Sequence, residues 1–249
     1  SGGEPGNGNG KPLHTESPYR PETNGTPGAG AGEPLSRMRR LIGEHMRRSL
    51  DTAAHCTTIA EADMTAVEAR RAEIRTTYLP VVARCVVEAL REHPALNTWL
   101  REDRLVRHDA VHLGIAVDLG PERGLIVPVI HDAQRLSDEG LAEAIAAAAG
   151  RARENRLDPG ELEGGTFTIT NPGALGALAA TPVINLPQVA ILDLEAVVKR
   201  PVVVTGPDGA DAIAIRPMTN LCLSWDHRAL DGAEAARFLR TLRRRLEAA

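Results

Sequence analysis

The chain has 249 residues, 29 Lys+Arg against 33 Asp+Glu, a formal net charge of -4 and three cysteines. The length suits one domain of about 200 residues or two small ones, and the near-balanced charge excludes the basic surface that a nucleic-acid binder uses. Three cysteines without a Cys-x-x-Cys pair give no disulfide framework, and neither a signal peptide nor an apolar run of about 18 residues is read. The expectation is therefore a cytoplasmic protein with no membrane partner.

Residues 1–34 read as a flexible linker: fifteen of them are Gly or Pro, and Leu13 and Tyr19 are the only sizeable apolar side chains. Such a segment buries too little surface to offset its ordering entropy. A domain spanning 35–249 follows. Met38, Leu41, Ile42, His45, Met46 and Ser49 fall at helical spacing behind Ser36, a good N-cap. His55–Asp63 alternates as a strand, and Thr65-x-x-Glu68 reads as a capping box opening a short polar helix. A second helix spans Tyr78–His93, with Pro80 in its first turn and Pro94 as its stop.

Leu105–Arg107, Val111–Leu119 and Gly124–Ile130 read as strands, the last two apolar enough to be buried. Ser137–Arg153 is an Ala-rich helix. Short strands are then predicted at Thr166–Thr170, Val183–Asn185, Val189–Leu194, Val197–Val204, Ala212–Arg216 and Leu221–Trp225. Gly206-Pro207-Asp208-Gly209 is a hairpin turn between two of them. Ala233–Leu246 closes the chain as a helix. The pattern is α+β, with one large mixed or antiparallel sheet flanked by helices.

No histidine or cysteine cluster has metal spacing. His14, His93, His108 and His131 lie among polar neighbours and read as solvated, His45 reads as packed on the first helix, and His112 has no assigned role. His227 differs. It follows the apolar strand 221–225, where a rigid element would hold an imidazole at the edge of a loop-lined cleft, a good position for a general base. Asp231-Gly232, four residues on, would turn the chain back beneath it. A second constellation, 164–173, combines two glycines, a Thr-rich strand and Asn171-Pro172-Gly173, which brings the Thr170 hydroxyl to a strand exit. There it could donate to an oxyanion, although an ordinary strand and turn accounts for the same residues.

Taken together these segments resemble the dihydrolipoamide acyltransferase (E2) component of 2-oxoacid dehydrogenase complexes. Ser224-Trp225-Asp226-His227-Arg228-Ala229-Leu230-Asp231-Gly232-Ala233 is similar to that family's C-terminal signature. Further blocks follow the family's order: 34–36, 54–65, 113–118, 124–130, 164–173 and 181–192. The resemblance implies a chloramphenicol-acetyltransferase-like fold and a homotrimer with active sites between subunits. It implies His227 as general base, Asp231 as support for its loop, and Thr170 as oxyanion donor from the neighbouring subunit.

It further implies coenzyme A as substrate and a lipoyl group on a separate domain. Residues 1–34 then correspond to the linker toward upstream lipoyl and subunit-binding domains, through which the decarboxylase (E1) and dihydrolipoamide dehydrogenase (E3) components are reached. No metal is required. The chain departs from the family in a shorter stretch between Arg71 and Tyr78, and in Trp225 where Tyr is commoner. Two other readings stand beside this one. One is a stand-alone CoA-dependent acetyltransferase of a small alcohol or amine, whose relatives carry two adjacent histidines where this chain has Asp226-His227. The other is a non-catalytic core subunit, which would be expected to lose the base. Acetyl, succinyl and branched-chain acyl groups fit the motifs equally. The small, charged tail 243–249 sets the expectation of a trimer that reaches a 24-mer or 60-mer only at high concentration.

Overall fold

The computed structural model describes residues 32–249, so the linker reading of 1–34 and His14 fall largely or wholly outside the described residues. Ser36–Ala249 packs as one unit. Ser36 caps α1 (Arg37–Thr52), its hydroxyl accepting from the Arg39 amide. β1 (His55–Asp63) leads into α2 (Thr65–Glu73) and α3 (Tyr78–Glu92), and α3 ends where Pro94 cannot continue it. The hairpin β2 (Thr98–Arg101) and β3 (Arg104–Arg107) follows. Short strands come next: β4 (Leu113–Ile115), β5 (Val117–Asp118), β6 (Leu125–Ile126) and β7 (Val129–Ile130). After α4 (Asp138–Arg153) come β8 (Phe167–Thr170), β9 (Ala190–Leu194), β10 (Val198–Thr205), β11 (Asp211–Asp226) and α5 (Gly232–Leu246).

The main sheet is mixed, in the order β1-β11-β9-β8-β4-β7, with β10 paired to the first half of β11. β8 runs parallel to both β4 and β9, and the other pairs are antiparallel. Because strand side chains alternate, the register sorts the centre of the sheet into two faces. Phe167, Ile169, Leu192, Leu194, Leu221, Leu223 and Trp225 belong to the main core with α3, α4 and α5. Phe167 meets Phe238 of α5 with ring centroids 5.9 Å apart. Thr168, Thr170, Ile191, Asp193, Cys222 and Ser224 take the opposite face. Segment 176–186 lies along that face. Ala177 accepts from the Ala196 amide, Leu178 accepts from Asn220, and Ser49 of α1 donates to the Ile184 carbonyl at 2.6 Å.

Several sequence expectations are corrected. Val183–Asn185 is not a strand. The Ile184 amide donates to His55 Nε2 and its carbonyl is taken by Ser49, so side chains use the groups a ladder would need. Thr65 and Glu68 do not form a capping box. Thr65 is already helical and bonds Asp63 through its amide (2.8 Å) and hydroxyl (2.5 Å), while Glu68 pairs with Arg71 and the Tyr78 hydroxyl. The predicted strands at Val111–Leu119 and Gly124–Ile130 are each broken. Pro128 has no N–H to donate, β5 and β6 form a separate two-stranded sheet, and Leu125 is exposed rather than buried. Conversely, Ala212–Arg216 and Leu221–Trp225 fuse into the 16-residue β11, whose first half pairs with β10 and second half with β1 and β9. β2 was not expected. Its partly polar sequence Thr98-Trp99-Leu100-Arg101 is stabilised by pairing with the exposed β3.

Candidate active site

β11 carries the chain to His227. Asp226, the last residue of the strand, is buried, and its carboxylate accepts from the Ala54 amide (3.1 Å), the Arg228 amide (3.0 Å) and the Arg228 guanidinium (2.6 and 3.0 Å). Burial alone would raise this carboxyl. The Arg228 guanidinium and the two amides outweigh burial and hold it below the usual carboxylate range. His227 itself is exposed; its amide donates to the Ala54 carbonyl at 2.9 Å and its ring lies 4.8 Å from that of Trp225, inclined by 46°. The indole is fixed in turn by a bond from its Nε1 to the Thr58 hydroxyl (3.1 Å). The imidazole thus sits on a rigid base, and among the described residues its ring nitrogens make no hydrogen bond.

Asp231 does not hydrogen-bond His227. It is the N-cap of α5, and its amide donates to the Glu234 carboxylate at 3.0 Å in a capping box. It thereby fixes the start of the helix that follows the His227 loop.

Thr170 is the last residue of β8. Its neighbour on that face, Thr168, donates to Gln188 at 2.7 Å, whereas no hydrogen bond of the Thr170 hydroxyl occurs among the described residues. The Asn171-Pro172-Gly173 turn then presses against the exit of β9. A Cβ on Gly173 would lie 2.1 Å from the Glu195 carbonyl carbon, so only glycine fits.

The structure does not bring His227 and Thr170 together within one chain. Thr170 pairs with Asp193 of β9, and Asp193 pairs with Cys222 of β11, five residues before His227. At about 3.3 Å per residue along a strand and about 4.8 Å between strands, the two side chains stand more than about 15 Å apart. They lie toward opposite ends of the sheet.

Most of the other described histidines are half-buried. His93 and His108 are half-buried rather than solvated, and burial lowers both pKa values. His93 bonds the Thr241 hydroxyl at 2.9 Å, and His108 packs on Trp99. His131 is exposed and His45 is half-buried against Asn185. His45, His131, Trp99 and Gln188 line a cavity of about 670 Å³ that His227 does not reach. Cys85 and Cys222 are buried thiols pushed up to about 12 and about 11, chiefly by burial. Among the described residues no group of three or more His, Cys, Asp or Glu is placed to hold a metal ion, and no helix is long and apolar enough to cross a membrane.

Two features escaped the sequence reading. The first is the Asp226–Arg228 clamp, which motif spacing alone does not reveal. The second is the buried pair Asp193, inside the expected strand 189–194, and Glu195, just beyond it. Two acids spaced by two within the apolar run 189–198 place both carboxylates on one strand face, and that spacing was the available signal.

Residues 28–249 match the sequence model of the family described as 2-oxoacid dehydrogenases acyltransferase (catalytic domain). The chain belongs to this family. The domain is 45% identical over 230 residues to the dihydrolipoyllysine-residue acetyltransferase component of the pyruvate dehydrogenase complex of Mycobacterium bovis, an alignment covering 88% of this chain and 41% of that protein. It is 38% identical over 223 residues to the succinyltransferase component of the 2-oxoglutarate dehydrogenase complex of Bacillus subtilis, covering 86% and 52%. The chain therefore spans about half or less of these relatives.

Among solved structures, the domain matches a probable dihydrolipoamide acetyltransferase from Listeria monocytogenes with a TM-score of 0.81 and 36% identity, covering 89% of this chain and 96% of that one. It matches the Azotobacter vinelandii dihydrolipoamide acetyltransferase with a TM-score of 0.82 and 34% identity, covering 93% and 97%; that structure comes from work on the roles of a serine, a histidine and an asparagine in its catalytic mechanism. Chloramphenicol acetyltransferase, at 11% identity, a TM-score of 0.56 and coverage of 86% and 100%, shares the fold alone.

Proposed function

We propose that this domain transfers an acyl group between dihydrolipoamide and coenzyme A, at sites shared between subunits of a homotrimer. His227 of one subunit is the general base and Thr170 of the next is the oxyanion donor. The register of β8, β9 and β11 carries the reading. It leaves the base and the donor more than about 15 Å apart within a chain, so a second copy is needed to complete the site. A stripe of apolar side chains on the β10–β11 hairpin, with Val203, Ile213 and Ile215 each more than two-thirds exposed, supports association with another copy.

The chemistry requires little more than these residues. A thiol of ordinary pKa about 8.5 is mostly protonated near neutrality. His227, held on Trp225 and anchored at Ala54, takes that proton as sulfur adds to the thioester carbonyl. The Thr170 hydroxyl donates to the carbonyl oxygen as charge builds on it. Collapse expels the other thiol, which recovers the proton from His227. One thioester replaces another, so no net redox change and no metal is needed.

Coenzyme A is a substrate here, and the lipoyl group belongs to a separate domain. The relatives' greater length supports such upstream domains, through which decarboxylase and dihydrolipoamide dehydrogenase components would be reached. Three free cysteines support a cytoplasmic setting. Rates measured with a panel of acyl-CoAs and free dihydrolipoamide test the reading and identify the acyl group. Transfer of one acyl group at enzymatic rates is expected, and the absence of transfer with every acyl-CoA would overturn it.

A further inference from the structure

Beside the oxyanion donor lies a carboxylate that the proposed mechanism does not use. Parallel pairing sets Thr170 of β8 next to Asp193 of β9 on the same sheet face, one strand spacing apart. Asp193 is only 2% exposed, and among the described residues neither its Oδ1 nor the Thr170 hydroxyl has a hydrogen-bond partner; Glu195, on the same face, is 1% exposed, with the Cys222 thiol as its neighbour and no N–H donor on either oxygen.

Among the described residues of one chain, no cation compensates them. Directly across on β11 stands Cys222, and the covering segment 176–186 contains no titratable residue. Arg200 reaches Asn220 of β11 but is engaged by Glu61 at 2.7 Å. From α3, Tyr78 adjoins the cavity of about 370 Å³ that Glu195 lines, with its hydroxyl bonded to Glu68. Two buried acids so placed cannot both ionise at low cost. Burial, and then the Glu195 charge, push Asp193 up to about 7.

Resting on the assignment of Thr170 above, we propose that Asp193 is a positioning residue for the oxyanion donor: protonated, it donates to the Thr170 hydroxyl oxygen and turns the Thr170 proton outward, and ionised, it accepts that proton itself. A hydroxyl has one proton to give. In the first state that proton points to the developing oxyanion, and in the second it is spent on the carboxylate. No bond to either residue breaks, and the switch is one of hydrogen-bond direction. Activity through Thr170 therefore falls as pH rises through the Asp193 transition.

The test compares kcat for transfer between an acyl-CoA and free dihydrolipoamide from pH 6 to pH 9, in wild type, Asp193→Asn, Thr170→Ala and the double variant. Asparagine keeps a donor at every pH. The ratio of Asp193→Asn to wild type is expected to rise at least tenfold over this range, while the ratio of the double variant to Thr170→Ala stays flat. Ratios cancel the titration of His227 and of the substrate thiols. A flat first ratio overturns the proposal, and so does an equal rise in both ratios, which would place the effect outside Thr170. Should Asp193→Asn fail to fold, the ratio of wild type to Thr170→Ala decides: a tenfold fall from pH 6 to pH 9 is expected, and a constant ratio above one overturns the proposal. Normal activity of Thr170→Ala at pH 6 would overturn the reading of Thr170 itself.

Discussion

His227 has its ring on Trp225 and its amide on Ala54, so removing the imidazole leaves its support standing. His227→Ala is expected to lower kcat by 10²-fold or more with unchanged assembly, in line with the typical contribution of a general base; steady-state rates and gel filtration check this. Thr170→Ala should lower kcat by roughly 10²-fold at pH 6.5 with little change in KM, because its bond strengthens as the transition state forms. Thr170→Ser, which keeps the hydroxyl, should retain most activity. A change confined to KM would make Thr170 a binding residue. Asp226 anchors the other side of the loop. Asp226→Ala leaves two amides and a guanidinium without their acceptor and is expected to destabilise the domain by about 2–4 kcal/mol. Urea unfolding at fixed protomer concentration measures that loss.

At the scale of elements, Asp231 caps α5 and does not bond the imidazole, so on the proposed reading its effect on activity runs through the helix start. Asn is as good a cap as Asp, whereas Ala loses about 1 kcal/mol. Asp231→Asn should therefore keep kcat within about threefold while Asp231→Ala loses more, a contrast that steady-state rates resolve. Asp193 of β9 gives a pH signature of stability. Asp193 is raised in the folded state, so the folded chain binds more protons than the unfolded one between about pH 4 and 7. Its contribution is full below the unfolded pKa and is lost as pH rises through the folded one, by on the order of 3–4 kcal/mol. Unfolding midpoints that do not shift in Asp193→Asn relative to wild type between pH 5 and pH 8 would contradict this.

Much of this architecture is legible in the sequence, because β1, α3, α4 and α5 have uninterrupted periodicity and clear caps or stops. Ile184 and Thr65 were misread for one reason: distant side chains, Ser49 and His55 in one case and Asp63 in the other, compete for backbone groups that local pattern assigns to a ladder or a cap. β11 was read as two strands because neither its two sets of partners nor the tolerance of Pro217 in the β10 pairing can be seen from spacing. His227 and Thr170 stand out by motif, but the distance between them emerges only from strand order.

Across the whole molecule, that distance makes assembly part of the catalytic account. Light scattering on the purified chain should give about 80 kDa, three chains of 26.6 kDa each; a monomer with full activity would be incompatible with a shared site. The most direct measurement mixes two inactive variants. Protomers carrying His227→Ala and protomers carrying Thr170→Ala are unfolded together, refolded at a 1:1 ratio and assayed against each variant treated alone. If base and donor come from different subunits, about a quarter of the sites in randomly mixed trimers combine an intact His227 with an intact Thr170. Activity should then return to about a quarter of wild type. Mixtures no more active than the separate variants, despite demonstrated subunit exchange, would show that the two residues do not act across an interface.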